Sequence, residues 1–292
     1  MQVTWLPDAR PRPRTLAVGE FDGVHIGHRE VIRGADTVLT FEPHPRAVVA
    51  PESAPKLLTP LPIKADLIAE LGVGELVVIP FDGSFAAQTA QEFIDRVLVE
   101  QLGARRISVG ENFRFGNRAR GDVALLQAQD AFETRVARLV ELEGQIVSST
   151  HVRGLVTAGE MEAAARFLGA PFQMRGTVAH GDERGRTLGY PTANLVPDPA
   201  LVVPDHGVYA CRAVVDGAEH VAAVNVGVRP TFKTGRGVLV EAFLLDFEGD
   251  LYDRALRLDF LARLRGEQRF DSAEALVAQM HRDVADTRRV VT

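Results

Sequence analysis

Residues Gly19–His28 read G-E-F-D-G-V-H-I-G-H and carry the clearest chemical signal in this sequence. They follow an apolar run, Thr15–Val18, that predicts a short strand, and the chain then enters a helix near Gly27. The glycines make a tight turn that lets a phosphate approach the backbone. The first N–H groups of the helix and the positive end of its dipole lie beside that turn. The stretch therefore predicts an anion site between a strand and a helix.

Two histidines of this stretch are the candidate catalytic groups. His25 and His28 are three residues apart, and this spacing places both side chains on one helix face. Two imidazoles at a helix start can hold a triphosphate and stabilise the charge on a pentavalent phosphorus. The alternatives are a metal fragment and a glycine turn that serves packing only. No Cys and no further His lies nearby in the sequence to complete a tetrahedral metal site, which favours phosphate chemistry.

The composition predicts a globular protein with two domains. The chain has 292 residues, and its hydrophobic content of 46% and charged content of 25% are ordinary. Its net charge of -6 argues against nucleic-acid binding through a general basic surface, so we expect a small-molecule partner. The single cysteine, Cys211, is predicted to be a buried hydrophobe. No signal peptide and no apolar run of about 18 residues is found, so we expect a cytoplasmic protein without a membrane partner.

The first half of the chain alternates strand-like runs with helical patterns. A helix is predicted over Pro62–Leu71, and another begins at a capping box formed by Thr89 and Glu92. The segment Arg29–Asp36 is short, so the first helix is predicted to have about two turns. Further strands are predicted at Thr37–Phe41, Glu75–Ile79 and Arg106–Val109. This alternation is typical of a parallel, doubly wound α/β sheet, which binds ligands at the carboxyl ends of its strands.

The second half shows regularly spaced strands. Asp216-Gly217 is a strong hairpin signal, and Asp271 with Glu274 predicts the cap of a closing helix. The predicted strands are Gln173–Ala179, Val208–Val215, Glu219–Val226, Val238–Leu245 and Ala255–Leu261. This pattern predicts a small antiparallel barrel. We therefore expect domains at residues 1–170 and 171–292, with the Pro/Arg-rich patch Arg10–Arg14 as a surface loop.

Two further stretches in the first half are predicted to converge on the opening motif. Thr40–Pro45 reads T-F-E-P-H-P, in which two prolines fix the backbone and Phe41 offers an aromatic face. The alternative is a rigid loop. Gly110–Gly116 reads G-E-N-F-R-F-G after a predicted strand, so that Asn112 can bind a base or phosphate and Phe115 can stack on a ring.

A third stretch, Ser148–Arg153, reads S-S-T-H-V-R. Hydroxyl groups at a helix start can cap a phosphate, and Arg153 is one turn further on. Together the four stretches resemble the G-x-F-D-G-V-H-x-G-H, F-[DE]-P-H-P and S-S-T-x-[IV]-R pattern of bacterial FAD synthetases. These enzymes belong to the H-x-G-H nucleotidyltransferase superfamily, so the resemblance implies a Rossmann-like fold.

The resemblance implies that the first domain is an FMN adenylyltransferase. The FMN phosphate would attack the α-phosphorus of Mg-ATP and give FAD and pyrophosphate, with His25, His28 and Arg153 as the catalytic residues. The implied nucleotide contacts are Gly19, Phe21, Asp22, Gly23, Gly27, Asn112, Ser149 and Thr150. The implied flavin contacts are Phe41, Pro43, Pro45 and Phe115.

The stretch Gly176–Asn194 reads G-T-V-A-H-G-D-E-R-G-R-T-L-G-Y-P-T-A-N. Its glycines allow the backbone to wrap a phosphate, although the glycines alone are more typical of an ordinary loop. P-T-A-N supplies hydroxyl and amide oxygens, which are hard ligands suited to Mg²⁺. The whole string resembles the riboflavin kinase signature ending in G-[FY]-P-T-A-N. That resemblance implies Thr192 and Asn194 as metal ligands, and nucleotide contacts at Gly176, Gly181, Gly185 and Gly189.

The run Val240–Phe247, V-E-A-F-L-L-D-F, resembles the E-x-x-L-L-D-F segment of riboflavin kinases. A lone acid in such a strand more often only faces solvent. The resemblance implies that Glu241 is the base that accepts the proton of the riboflavin 5′-hydroxyl. Asn225–Phe232, N-V-G-V-R-P-T-F, resembles a further segment of the family, with Arg229 as a flavin contact.

The two resemblances together imply a bifunctional riboflavin kinase and FAD synthetase. Riboflavin, FMN and ATP are its expected small-molecule partners, Mg²⁺ enters with ATP, and flavins are substrates and products. One alternative is a monofunctional riboflavin kinase whose impaired first domain only binds flavin or nucleotide. Another is a nucleotidyltransferase for a different phosphate, with the barrel as a binding module. An aminoacyl-tRNA synthetase is disfavoured, because no K-M-S-K-S-like partner is present and the chain is acidic.

Overall fold

The structure of the chain, a computed structural model, describes residues 1–179, 190–228 and 238–291. It forms two compact units, Met1–Ser149 and Thr150–Thr292. The first unit is an α/β unit and the second is built on a barrel, so the predicted fold class is confirmed. Within the described residues, no helix is both long enough and apolar enough to cross a membrane.

The first unit is organised around a six-stranded sheet in which all neighbouring strands are parallel. Its strands are β1 (Gln2–Trp5), β2 (Arg14–Val18), β3 (Thr37–Glu42), β4 (Glu75–Pro80), β5 (Ala104–Gly110) and β6 (Glu133–Ala137). They lie in the order β1-β4-β3-β2-β5-β6. The chain runs from β2 to β3 and β4 on one side and returns to β5 on the other. The switch point, where such sheets bind ligands, is therefore between β2 and β5.

Helices cover both faces of this sheet. They are α1 (Ile26–Ile32), α2 (Pro45–Val49), α3 (Leu61–Glu70), α4 (Gly83–Ala86), α5 (Ala90–Glu92, continuing as a π-helix over Phe93–Gln101) and α6 (Val123–Gln127). Alternate residues of the central strands enter separate apolar clusters: Leu16 and Val18 enter one and Ala17 the other. A parallel sheet buried on both faces has this pattern. The seven residues of α1 agree with the predicted two turns, and Thr89 and Glu92 form the predicted capping box.

The prediction that Arg10–Arg14 is a surface loop is wrong at its last residue. Arg10 and Arg12 are exposed, as expected of a surface loop, but Arg14 begins β2 and is only 3% exposed. Its Nε donates to Oε2 of Glu75 at 2.9 Å, and Arg12 donates to the same oxygen at 2.7 Å. A guanidinium is buried only where its charge is paired, and here the pairing comes from the start of β4.

The second unit holds a closed barrel with helices on either side of it in the chain. The first unit ends with a two-stranded hairpin, β7 (Glu141–Leu142) and β8 (Gln145–Ile146), and the second begins with α7 (Ser149–Ala158) and α8 (Met161–Leu168). The barrel strands are β9 (Phe172–Ala179), β10 (Ala193–Pro197), β11 (Gly207–Val215), β12 (Ala218–Val228), β13 (Val238–Leu244) and β14 (Ala255–Gly266). They close in the order β10-β13-β12-β11-β14-β9, and every neighbouring pair is antiparallel. The predicted barrel is confirmed.

Details of the barrel follow from local sequence. Asp216 and Gly217 have φ values of 50° and 83°, as a hairpin turn with two left-handed residues requires. The closing helix α9 (Ala273–Val291) packs on β11, β12 and β14. Its cap is Ser272, one residue after the predicted Asp271, and Oγ of Ser272 accepts the N–H of Ala275 at 3.2 Å.

Cys211 is fully buried, as predicted, and burial raises the pKa of its thiol.

Candidate active sites

The two predicted histidines lie together at the start of α1. His25 is the N-cap of this helix, and its Nδ1 accepts the backbone N–H of His28 at 3.1 Å. The two rings are stacked, with centroids 3.5 Å apart and planes at 13°. The ring of Phe21 meets that of His28 edge-on at 5.3 Å. The local spacing therefore brings the rings together, as the sequence predicted.

Both imidazoles are neutral near pH 7. Burial lowers the pKa of His25 to about 4, although a backbone hydrogen bond opposes this shift. Burial also lowers the pKa of His28 well below its usual value, and the electrostatic interactions with His25 and Lys64 lower it further. Because Nδ1 of His25 accepts a hydrogen bond, the proton of its neutral ring lies on Nε2. His25 therefore presents a neutral N–H donor at the helix start.

The glycines of the motif make room for these rings. A Cβ atom on Gly27 would lie 3.2 Å from Nδ1 of His25, and one on Gly19 would lie 3.0 Å from the ring of Phe21. The turn also holds Phe21 and Val24 at φ values of 51° and 41°. Left-handed backbone in residues other than glycine costs free energy and is concentrated at functional sites.

The motif lines a cavity of about 840 Å³ at the carboxyl ends of the strands. This volume is within the range of small-molecule sites. The cavity brings together most of the predicted residues of the first unit: Gly19, Phe21, His25, Gly27, His28, Phe41, Pro45, Asn112, Phe115 and Ser149. Asp22, Gly23 and Pro43 are described by the structure but do not line it. Thr150 and Arg153 lie on α7, and both belong to the second unit.

One wall of the cavity is a row of phenylalanine rings. Phe41, Phe81, Phe85, Phe93, Phe115 and Phe113 follow one another with centroid distances from 5.6 to 6.1 Å. Such a wall suits a flat aromatic ligand. Of these residues, only Phe41 and Phe115 were predicted. Phe81 directly follows β4, so its position at the carboxyl end of a parallel strand was a signal available in the sequence.

Asp22 anchors the turn of the opening motif to the segment at Leu58 and Thr59. Its Oδ1 accepts the backbone N–H groups of Leu58 and Thr59, both at 2.9 Å, and the hydroxyl of Thr59 receives the N–H of Gly23. A buried carboxylate with such donors anchors a loop. The predicted nucleotide contact of Asp22 stays a prediction.

Lys64 is a buried charge that the sequence analysis did not single out. It lies on α3, is 6% exposed and contacts the hydroxyl of Thr40 at 3.4 Å. Burial lowers the pKa of Lys64, while the carboxylates of Asp22, Glu42 and Glu20 raise it. These carboxylates come from two of the predicted motifs. Lys64 lies on the same helix face as the apolar residues Ile68 and Leu71. A lysine at this helical spacing was the signal in the sequence that could have indicated a buried charge.

Glu20 connects the opening motif with T-F-E-P-H-P. Its Oε2 lies 2.8 Å from Nε2 of His44. Burial raises the pKa of Glu20, but the hydrogen bond from His44 and the charges of His44, Lys64 and Arg46 outweigh it and lower the pKa overall. The acidic side chain is thereby held by a partner on the neighbouring loop.

The barrel aligns three polar residues of its own motifs. Asn194 on β10 is the register partner of Glu241 on β13, and Glu241 also pairs with Asn225 on β12. Side chains of directly opposed residues lie on one face of a sheet, with Cβ atoms roughly 5 Å apart. Val240 and Ala242 are fully buried, so Glu241 faces away from their side of the strand. The three residues therefore form one row across neighbouring strands.

Other predicted residues of the barrel have mixed positions. Gly176 lies in β9, where a Cβ atom would collide with the carbonyl oxygen of Val196, so the close strand pairing itself requires a glycine. Thr192 is half-buried and precedes β10. The hydroxyl of Tyr190 lies 2.9 Å from Nδ1 of His281 on α9. Gly181, Gly185, Gly189 and Arg229 lie outside the described residues.

Comparisons with known proteins cover both units. The family described as FAD synthetase matches residues 8–151, and the family described as riboflavin kinase matches residues 168–291. A bifunctional riboflavin kinase/FMN adenylyltransferase of Pseudomonas fluorescens is 40% identical over 301 residues, covering 98% of this chain and 96% of that protein. This chain belongs to the bifunctional riboflavin kinase/FMN adenylyltransferase family.

Further members of the family agree. The protein of the same name from Escherichia coli is 40% identical over 287 residues, and that from Listeria monocytogenes is 35% identical over 288 residues. Each match covers 94% of this chain and 91% of the relative. A crystal structure described as a macrolide-efflux protein from Streptococcus pneumoniae has a TM-score of 0.90, 31% identity and 99% coverage of both chains. The predicted family is confirmed.

Proposed function

We propose that this chain carries out two consecutive steps of flavin nucleotide synthesis. It phosphorylates riboflavin with ATP to give FMN, and it adenylylates FMN with a second ATP to give FAD and pyrophosphate. The observation that carries this conclusion is the match of one chain to both families, each across its own motifs. It favours the bifunctional enzyme over a riboflavin kinase with an impaired first domain.

We assign adenylylation to residues 1–170 and phosphorylation to residues 171–292. The matches to the two families, over residues 8–151 and 168–291, support this division. Riboflavin, FMN and ATP are the small-molecule partners. The acidic net charge of -6 supports the absence of a nucleic-acid partner, and the single buried Cys211 suits the reducing cytoplasm.

In adenylyl transfer, an oxygen of the FMN phosphate forms a bond to the α-phosphorus of ATP. The bond from that phosphorus to the bridging oxygen breaks, and pyrophosphate leaves. We propose that His25 and His28 donate hydrogen bonds to the oxygens that gain negative charge in this transition state. The lowered pKa of each ring supports this role, because a neutral donor stabilises charge without holding the product by ion pairing. The roles of Thr150 and Arg153 stay predictions.

The cavity wall supports the binding of a flat ring next to the histidines. The phenylalanine row ends near Phe113 and Phe115, whose rings are stacked at 18°. We propose that Phe41, Pro45 and Phe115 contact the flavin and that Asn112 binds the nucleotide. All four residues line the same cavity as His25 and His28.

In riboflavin phosphorylation, we propose that Glu241 accepts the proton of the riboflavin 5′-hydroxyl. The oxygen of that hydroxyl forms a bond to the γ-phosphorus of ATP, the bond from that phosphorus to the bridging oxygen breaks, and ADP leaves. The register of Glu241 with Asn194 supports this assignment. The hydroxyl of Thr192 and the amide oxygen of Asn194 are hard ligands that suit Mg²⁺. When bound with ATP, Mg²⁺ supplies charge neutralisation at the phosphates.

The test is a time course with purified protein, riboflavin, ATP and Mg²⁺, with the flavins separated by chromatography. We expect FMN to appear first and FAD to follow, and both to stop when the metal is chelated. FMN alone would leave only the kinase. If neither product formed, the proposed function would be refuted.

A further inference from the structure

Helix α1 needs external support. It carries His28 and has only seven residues, so the carbonyl groups of its last turn have no partners inside the helix. A helix of this length is not stable by itself in water, because too few hydrogen bonds offset the cost of starting it. After the C-cap Arg33, only residues 34–36 remain before β3 begins. The orientation of α1 therefore depends on contacts with the sheet.

Two side chains of the sheet bind the free carbonyl groups of α1. Ser108, on β5, donates its hydroxyl to the carbonyl oxygen of Val31 at 2.6 Å. Arg135, on β6, donates from Nη1 to the carbonyl oxygens of Glu30 at 2.9 Å and Arg33 at 3.5 Å. The carboxyl end of the helix is thus capped by side chains of β5, which borders the switch point, and of its neighbour β6.

Arg135 is itself held in place. Its Nη1 lies 3.2 Å from Oγ of Ser108, and its Nη2 lies 2.5 Å from Oε1 of Glu30. A guanidinium presents several donors in a fixed plane, so it can bind a carboxylate and carbonyl groups at once. Its positive charge also complements the negative end of the helix dipole. Ser108 is only 2% exposed, so its hydroxyl bond is shielded from water.

We propose that Arg135 and Ser108 are positioning residues for adenylyl transfer. They fix the carboxyl end of α1 and thereby fix the rings of His25 and His28 at its other end. This inference rests on the proposed function of the two histidines. The ring of His25 is linked to the helix backbone, because its Nδ1 accepts the N–H of His28, and the ring of His28 stacks on it. A tilt of the helix therefore moves both rings together, away from the reacting phosphorus.

The experiment compares the wild type with Arg135→Met, Arg135→Lys and Ser108→Ala in the full chain. FAD formation from FMN and ATP gives kcat and KM, and FMN formation from riboflavin serves as the internal control for folding. Hydrogen exchange of the peptide covering residues 26–33 measures the stability of α1 without reference to activity. The matched control is Arg106→Met, which removes an ion pair of Arg106 with Glu133 at 2.8 Å between the same two strands.

We expect Arg135→Met to lower kcat of FAD formation roughly tenfold, because misplacing catalytic groups by a fraction of an ångström already slows the reaction. KM for ATP and FMN should change little, since the cavity wall is intact, and FMN formation should equal that of the wild type. Arg135→Lys should restore part of kcat, and Ser108→Ala should reduce kcat less than Arg135→Met. Amide exchange in residues 26–33 should be faster in Arg135→Met and unchanged in Arg106→Met.

Unchanged kcat in Arg135→Met would overturn the proposal, and so would a rise in KM alone or an equal loss in Arg106→Met. If Arg135→Met lost both activities, the variant would be misfolded, and Ser108→Ala would then be the test. An unchanged kcat of FAD formation in Ser108→Ala would overturn the proposal. A wild type that makes no FAD would refute the proposed function instead. In that case, the amide exchange would still show whether Arg135 holds α1.

Discussion

The two candidate sites are assembled in opposite ways. In the sheet unit, His25 and His28 come from one short stretch, and their stacking is set by the local geometry of a helix start. In the barrel, Asn194, Asn225 and Glu241 come from three separate segments and meet only because β10, β13 and β12 pair in one register. Local spacing therefore defines the first site, and strand pairing defines the second.

This difference has a chemical counterpart. The first site holds neutral rings whose pKa values burial has lowered. The barrel site carries a half-buried carboxylate on the face opposite the core. Stabilising charge on a phosphorus calls for donors, whereas activating a hydroxyl calls for an acceptor. Each unit therefore holds the kind of group that its proposed reaction requires.

The largest expected effect tests the barrel site. Glu241→Gln removes the proton acceptor but keeps the shape of the side chain. We expect FMN formation to fall by about 10²–10⁴-fold, the usual contribution of a general base. FAD formation from added FMN should be unchanged, and a chromatographic assay of both products checks this. Loss of both activities in the folded variant would contradict independent sites.

The reverse variant is His28→Ala. It removes one of the stacked rings, and we expect FAD formation to fall by about 10²–10³-fold, as for the loss of one transition-state donor. Riboflavin phosphorylation should proceed at the wild-type rate. The same assay, started once from riboflavin and once from FMN, separates the two steps. An unaffected rate of FAD formation would exclude His28 from the chemistry.

His25→Asn separates two roles of one residue. Asparagine is a good N-cap, so it can still accept the N–H of His28, but it lacks the Nε2–H donor. We expect FAD formation to drop by roughly tenfold or more, as the loss of an oriented donor implies. The free energy of unfolding of the first unit should stay within about 1 kcal/mol of the wild type. If the variant lost much of its stability but kept full activity, the imidazole of His25 would serve the fold and not the reaction.

The stability of the first unit should depend on pH through His25. Its pKa is about 4 in the folded protein against an ordinary value of 6.5. Between these values the unfolded chain binds a proton that the folded chain does not, so stability falls as pH drops through this window. The full effect is on the order of 3 kcal/mol. Urea unfolding at pH 7 and pH 5, followed by the fluorescence of Trp5 on β1, measures the part of this effect that falls between the two pH values, roughly 2 kcal/mol.

His25→Asn is also the control for this pH dependence. Without the imidazole, the contribution of this site to the slope should disappear. The single tryptophan of the chain makes the signal specific to the first unit. Equal slopes in the wild type and the variant would show that other groups cause the dependence.

The smallest effect concerns the link between the kinase motif and the closing helix. Tyr190→Phe removes a hydroxyl that lies 2.9 Å from Nδ1 of His281. We expect the second unit to lose about 1 kcal/mol of stability, the net value of one typical hydrogen bond. Thermal unfolding of the variant checks this value. The ring of Tyr190 still contacts Phe243, so FMN formation should stay within about twofold of the wild type. A complete loss of phosphorylation would instead place the hydroxyl in the reaction.

The sequence predicted what local patterns determine. Strands β2 to β5 were predicted to within two residues at each end, because each contains a continuous buried run. Strands β1 and β6 were missed, since both lie at the sheet edges and mix exposed residues with apolar ones. The closing helix was predicted with its cap one residue early, because Asp271 and Ser272 are both good caps.

The same distinction applies within the sites. The glycine turn and its histidines follow from residues close in the sequence. The buried charge of Lys64 does not, because the carboxylates around it belong to segments far from α3. The contacts of Arg135 were also not predictable, since no local pattern pairs a side chain of β6 with carbonyl groups of α1. Arg14 was misjudged for the same reason, because its partner Glu75 lies 61 residues away.

The register of β13 restricts where the chain can gain or lose a residue without displacing Glu241. Side chains of a strand alternate between faces, so inserting or deleting one residue in β13 before Glu241 would turn Glu241 toward the buried side. The first crossover is restricted at a different place, because side chains of β5 and β6 bind the carbonyl groups at the carboxyl end of α1. A residue inserted between Arg33 and β3 would leave these contacts in place, whereas a residue inserted in β13 before Glu241 would displace the proposed base.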